Sequence, residues 1–96
     1  MATRFTWDKR KNTANRKKHL VGFETAKLVF EDPNAIALSD RTVEGEERWH
    51  LIGSAQTTIL VVAHTVLEED GEEVIRLISA RKATPRERRL YEEETR

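Results

Sequence analysis

Apolar and polar positions alternate with a period of two through three consecutive stretches, "RWHLIG" at 48–53, "TTILVVAHTV" at 57–66 and "EVIRLISAR" at 73–81. That period belongs to strands, because successive side chains point to opposite faces of a pleated sheet. The links "SAQ" and "EEDGE" are short, so neighbouring strands pair as antiparallel hairpins. Asp70-Gly71 is a strong turn signal within the second link. "NAIALSD" at 34–40 predicts a further strand, and the acidic "RTVEGEE" after it a turn. "RFTW" at 4–7 alternates enough for a short opening strand with Phe5 and Trp7 on one face.

The remaining segments carry helical signals. Asp8 predicts an N-cap for a helix over roughly 9–19, since its carboxylate accepts from otherwise unpaired backbone N–H groups. That helix, "KRKNTANRKKH", has almost no apolar stripe and is expected to be exposed on most sides. Gly22 lets the chain turn, and "FETAKLVFED" then places Phe23, Ala26 and Phe30 at helical spacing until Pro33 ends the segment. "TPRE" at 84–87 is a capping box with proline at the first helical position, and its helix runs to about residue 94. The expected fold is α+β, one domain over residues 1–96. It has a mainly antiparallel sheet of four to five strands, two N-terminal helices and one C-terminal helix.

A symmetric turn at 70–71 sets Ala63 opposite Ile78 and Thr65 opposite Arg76. The preceding hairpin pairs Arg48 with Ala63 and His50 with Val61. One face then carries Arg48, His50, Ile52, Arg76 and Ile78. The other carries Trp49, Leu51, Leu60, Val62, Ile75 and Leu77, and being more continuously apolar it is the one the helices should cover. Arginines at rigid strand positions suit an anionic, oxygen-rich ligand such as a phosphodiester. Arg81 at the strand end, with Arg86 and Arg88 beyond it, reaches the same rim. The plainer reading is that Arg48 and Arg76 pair with Glu46, Glu47 or Glu73 along a solvated face.

Composition narrows the field. The chain has 38% hydrophobic and 35% charged residues, enough for one modest core under a densely ionic surface. It has no cysteine, which excludes disulfides and thiolate zinc sites and fits a reducing compartment. The longest apolar run, "ILVVA" at 59–63, is far short of a membrane span, and no signal peptide opens the chain, so a soluble cytoplasmic protein is expected. Net charge is zero but unevenly spread: +6 over residues 1–19, −9 over 20–74 and +3 over 75–96. The basic ends either attract the acidic centre or meet in a basic cleft. No Gly-rich phosphate loop, "GxSxG" or histidine–carboxylate cluster at metal spacing is present, and no metal or cofactor is expected.

Read together, "FTWDKRKNTANRKKHLVGFETAKLVFEDP", "RWHLIG" and "IRLISARKATPRERRLYEE" resemble the BrnT-type toxins of bacterial type II toxin–antitoxin systems over nearly the whole chain. The words that carry the likeness are Trp7-Asp8, Lys11, Asn15, Lys18-His19, Phe23, Ala26, Arg48, Gly53, Arg76, Ile78-Ser79-Ala80-Arg81, Glu87, Arg88 and Tyr91. Members typically have glycine after the "KH" pair and a small polar residue before the phenylalanine, where this chain has Leu20 and Gly22. The resemblance implies a RelE-like fold with one sheet face free. It also implies an endoribonuclease that inhibits translation, a cognate BrnA-type antitoxin, and a toxin dimer within the toxin–antitoxin complex.

On that footing the chemistry is metal-free attack of a ribose 2′-hydroxyl on the adjacent phosphorus, which needs proton transfer and stabilisation of the phosphorane oxygens. The candidate catalytic residues are Arg48, Arg76 and Arg81 as the phosphate clamp and His50 for proton transfer. Candidate RNA-binding residues are Lys9, Lys11, Lys17, Lys18, His19, Arg88 and Tyr91. His64 falls on the apolar face and reads as a core or edge histidine. Trp7 and Trp49 read as packing residues before stacking platforms, and Glu87 as part of its capping box. Two other functions share these features, a non-catalytic RNA- or ribosome-binding module and a protein-interaction domain.

Overall fold

The computed structural model describes residues 3–94. Strand β1 (Thr3–Thr6) leads into helix α1 (Lys9–His19) and helix α2 (Phe23–Ala26), which tightens into a 3-10 segment (Lys27–Glu31). Strands β2 (Ile36–Val43), β3 (Glu46–Ala55), β4 (Thr58–Glu69) and β5 (Glu72–Lys82) follow, and helix α3 (Pro85–Glu94) comes last. The five strands form one sheet in the order β1-β5-β4-β3-β2. β2 to β5 is an antiparallel meander, and β1 adds in parallel to the outer edge of β5 with Thr6 beside Arg76. The α+β reading holds, with the sheet mixed at this one edge.

Turn chemistry explains the meander. Glu44-Gly45 and Asp70-Gly71 both take positive φ, 51° and 79° in the first and 50° and 80° in the second, as twist-matched two-residue hairpins require. The β3–β4 turn is tighter than the expected "SAQ" link: Ala55 pairs with Thr58, and Gln56 takes φ 58°. His50 therefore sits opposite Ala63, two residues from the expected Arg48–Ala63 pairing. A two-residue shift preserves which face each side chain uses, so the face assignment stands.

The β4–β5 register is as expected near its turn, with Thr65 opposite Arg76. A bulge between Ala63 and His64 then inserts one extra residue in β5, so Ala63 meets Ser79 and not Ile78. The bulge corrects the Ala63–Ile78 expectation. It also moves Arg81 onto the face of Val61, its partner in the register.

The helix-covered face holds the main core: Leu60, Val62, Ile75, Leu77 and Ala80 pack under Val21, Phe23, Ala26 and Val29. Helix α1 docks differently, through amides. Asn15 donates to the carbonyls of Val21 and Ala80, both at 2.8 Å, and accepts from the Ala80 N–H at 3.1 Å. Asn12 accepts from the Phe23 N–H at 2.9 Å. These two buried residues lie three apart, on one helical face, which is why a helix without an apolar stripe is still anchored. The expectation of exposure on most sides holds for the lysines and fails for this face.

Gly53 permits a close approach between β3 and the 3-10 segment. A Cβ there would lie 2.8 Å from Val29 Cγ1 and 3.0 Å from Ala35 Cβ, so β3 can approach the 3-10 segment only at a glycine. Among the described residues no helix is long and apolar enough to cross a membrane.

Candidate functional site

Face alternation and the β3–β4–β5 register arrange the predicted residues in rows across the face opposite the core. Arg48, one step beyond the Trp49–His64 pair, lies alongside Thr65, which itself faces Arg76. The next row is Leu38, His50, Ala63 and Ser79, and the next Ile36, Ile52, Val61 and Arg81. Arg48 and Arg76 thus flank Thr65 from either side, about 10 Å apart across two strand spacings. Arg81 stands two rows away, about 13 Å along the strands. Ile52 and Val61 in one row and Val74 three rows away are buried on this face.

This face is not wholly open. Helix α3 packs against β3, and its Leu90 and Arg86 share a cleft with Leu38 of the edge strand. The capping box forms as expected: Glu87 N–H donates to Thr84 Oγ1 at 3.2 Å and Thr84 N–H to Glu87 Oε1 at 2.8 Å. Glu87 also takes both arms of Arg81, at 2.7 and 3.0 Å. The guanidinium bonds hold the Glu87 carboxyl down at about 2, and the same pair pushes Arg81 up. Arg81 is therefore bound to the helix start at the far end of the face, apart from the Arg48–Arg76 row.

The other side chains of this face have surroundings of different kinds. Arg76 forms an ion pair with Glu46, the plainer reading of the sequence for this residue. His50 Nε2 lies 3.6 Å from Asp40 Oδ2. Arg48 has its Nε buried without a hydrogen-bond partner, and so does Thr65 Oγ1, on a residue that is 0% exposed. These two orphan atoms belong to the same row.

Of the candidate RNA-binding residues, Lys9, Lys11, Lys17 and Lys18 are exposed on α1, whose own bonds run to α2 and the β5 edge. His19, half-buried, closes that helix. The α1 cations are anchored beside the β5 edge, while α3 packs against β3. Arg88 is exposed on α3. Tyr91 is committed elsewhere: its hydroxyl donates to Asp32 Oδ2 at 2.6 Å, which pushes the phenol up to about 12. Burial works against the Asp32 charge, yet bonds from Tyr91, Ser54 N–H and Asn34 N–H keep its carboxyl below the usual range.

His64 is a core residue as expected, 4.9 Å edge-on from Phe30, and burial lowers its pKa so that it stays neutral. Trp7 packs edge-on against Phe23 at 6.0 Å. The sequence reading did not single out Thr65 or Asp32. The pairing of Thr65 with Arg76 was the available signal for the first; Asp32, in a loop signature before proline, offered none for its three bonds.

A comparison with the curated proteins finds no match. The family model described as "Ribonuclease toxin, BrnT, of type II toxin-antitoxin system" matches residues 7–87, which begins just after β1 and takes in α1, α2, the 3-10 segment, all of β2 to β5 and the start of α3. The match spans Arg48, Thr65 and Arg76 together with the Asn15 and Gly53 contacts that set the fold around them. The chain belongs to the BrnT family, the ribonuclease toxins of type II toxin–antitoxin systems, whose partner is a protein antitoxin.

Proposed function

We propose that this chain is a metal-independent endoribonuclease that inhibits translation by cutting RNA on the Arg48–Thr65–Arg76 face. The observation that carries the reading is the placement of two guanidinium groups on either side of one strand position, one row from His50. Arginines remain charged at any working pH and present paired donors to phosphate oxygens, so Arg48 and Arg76 supply the positive charge that phosphorane formation needs.

His50 is the proton-transfer group. Asp40, facing its Nε2, orients the ring for exchange with the 2′-hydroxyl or the leaving 5′-oxygen. Cleavage leaves a cyclic phosphate and a free 5′-hydroxyl. Arg81, two rows along, binds a neighbouring phosphate of the same strand when Glu87 releases it, and the exposed α1 lysines, with His19 and Arg88, add salt-dependent attraction without reading sequence. The work is done in the cytoplasm, where a BrnA-type antitoxin silences the toxin and a toxin dimer forms within the complex.

The test is purified chain with labelled RNA, with and without chelator, comparing wild type with Arg76→Ala. Chelator-insensitive cutting that falls at least about 100-fold in Arg76→Ala supports the proposal. RNA binding without cutting would favour a non-catalytic module, and cutting abolished by chelator would remove the metal-free route.

A further inference from the structure

Glu46 and Arg76 come from β3 and β5, and β4 lies between those strands. Their ion pair therefore spans β4, running from Arg76 in the Thr65 row towards Glu46 nearer the β4–β5 turn. Thr65, beside Arg76 in the register, is fully enclosed, and its hydroxyl has no partner. Arg48, in the same row, keeps its Nε buried and equally unpartnered. A buried polar atom without a hydrogen bond is unfavourable, and two of them in one row call for a ligand that completes both. The row offers an N–H and an O–H, both able to donate, and a guanidinium already gripping a carboxylate. All three suit the oxygens of one anion.

We infer that the Glu46 carboxylate occupies the seat of an RNA phosphate on Arg76, and that substrate enters by displacing it and bonding to Thr65 Oγ1 and Arg48 Nε. This rests on the ribonuclease reading of the face. Glu46 is then an intramolecular competitor, and Thr65 a phosphate-binding residue. The pair is suited to exchange: 44% of the Arg76 side chain and 26% of that of Glu46 remain exposed, so water screens their attraction and a phosphate can replace the carboxylate at small net loss. The neighbouring Asp40 is held at His50 and does not take part in this pair.

The experiment uses the full chain and two probes, inorganic phosphate and a short 2′-O-methyl RNA that cannot be cut, with the Arg48 Nε–H followed by NMR. Phosphate is expected to shift that resonance. Glu46→Gln, which removes the competing charge, should tighten both probes about two- to fivefold. Thr65→Val should weaken both about three- to tenfold, and Thr65→Ser, which restores the hydroxyl, should recover them.

An unmoved Arg48 resonance, unchanged affinity in Glu46→Gln, or a Thr65→Ser variant as weak as Thr65→Val would overturn the inference. If the phosphate titrations behave as stated while unmodified RNA is never cut, the seat stands and the ribonuclease reading falls. Should RNA be cut in an Arg76-dependent way while Glu46→Gln alters neither titration, the reading stands and the seat falls.

Discussion

Asn15 completes the edge of β5 at Ala80 as a neighbouring strand would. Its side-chain amide accepts from the Ala80 N–H at 3.1 Å and donates to the Ala80 carbonyl at 2.8 Å. β1 pairs with β5 only from Glu73 to Arg76, and beyond that point one helical side chain takes over the hydrogen bonding of the exposed edge. The same amide holds the Val21 carbonyl, so one residue joins α1, the α1–α2 link and the sheet.

Replacing that amide should therefore be expensive. Asn15→Leu keeps similar bulk but leaves the Ala80 N–H and two carbonyls buried without partners. We expect a loss of about 3 kcal/mol in urea unfolding. Asn12→Leu, which removes the bond to the Phe23 N–H, should cost less, about 1–2 kcal/mol. Equal, negligible losses in both would show that α1 is held by something else.

Leu20 ends α1 with φ 60°, in the left-handed region, and is 82% exposed. It stands where members of the family typically carry glycine. A side chain there meets backbone strain without gaining packing. Leu20→Gly should raise stability by about 0.5–1 kcal/mol, seen as a rise of a few degrees in Tm. A fall in Tm would mean that Leu20 makes a compensating contact.

Gly53 should be the reverse case. Gly53→Ala places a methyl 2.8 Å from Val29 Cγ1 and 3.2 Å from Asp32 Oδ2, against side chains held in the core and in the Tyr91 latch. An expected loss of about 1–3 kcal/mol would appear in chemical denaturation, with Gly53→Val worse. If Gly53→Ala were neutral, the 3-10 segment must yield freely.

Acid should unfold the protein in two steps of different origin. His64 is depressed by burial, so the unfolded chain binds the extra proton and stability begins to fall below the ordinary histidine value of 6.5. Glu87, held at about 2 against an ordinary 4.5, contributes stability that is full above 4.5 and lost as pH falls through 2. Glu87→Gln should reduce stability at neutral pH by about 1–2 kcal/mol, allowing for its partial exposure, and flatten the acid limb between 4.5 and 2. His64→Gln should flatten only the limb near 6.5. An unchanged acid limb in Glu87→Gln would remove the Arg81–Glu87 pair from the account.

The sheet was legible because its signals are local. Period-two alternation through β3, β4 and β5, the Asp70-Gly71 turn and the "TPRE" box each act within a few residues, and each appears where expected. Face assignment survived the wrong β3–β4 pairing because the error was an even number of residues. The bulge at Ala63/His64 was not legible, since an extra residue in one strand leaves no local pattern. The anchoring of α1 was missed for a related reason: hydropathy does not register an amide that replaces an apolar stripe.

Composition and pattern alone thus determined the α+β class, the strands and helices, and which sheet face carries Arg48, His50 and Arg76, because each depends on chain periodicity. Only the tertiary structure decided the partners of those and the neighbouring polar side chains. It sets Glu46 across β4, Glu87 on Arg81 and Tyr91 on Asp32, and leaves Arg48 Nε and Thr65 Oγ1 without partners. Such contacts join residues as many as 59 positions apart, and long-range charge pairing follows from how strands stack side by side, which no single stretch of the chain encodes.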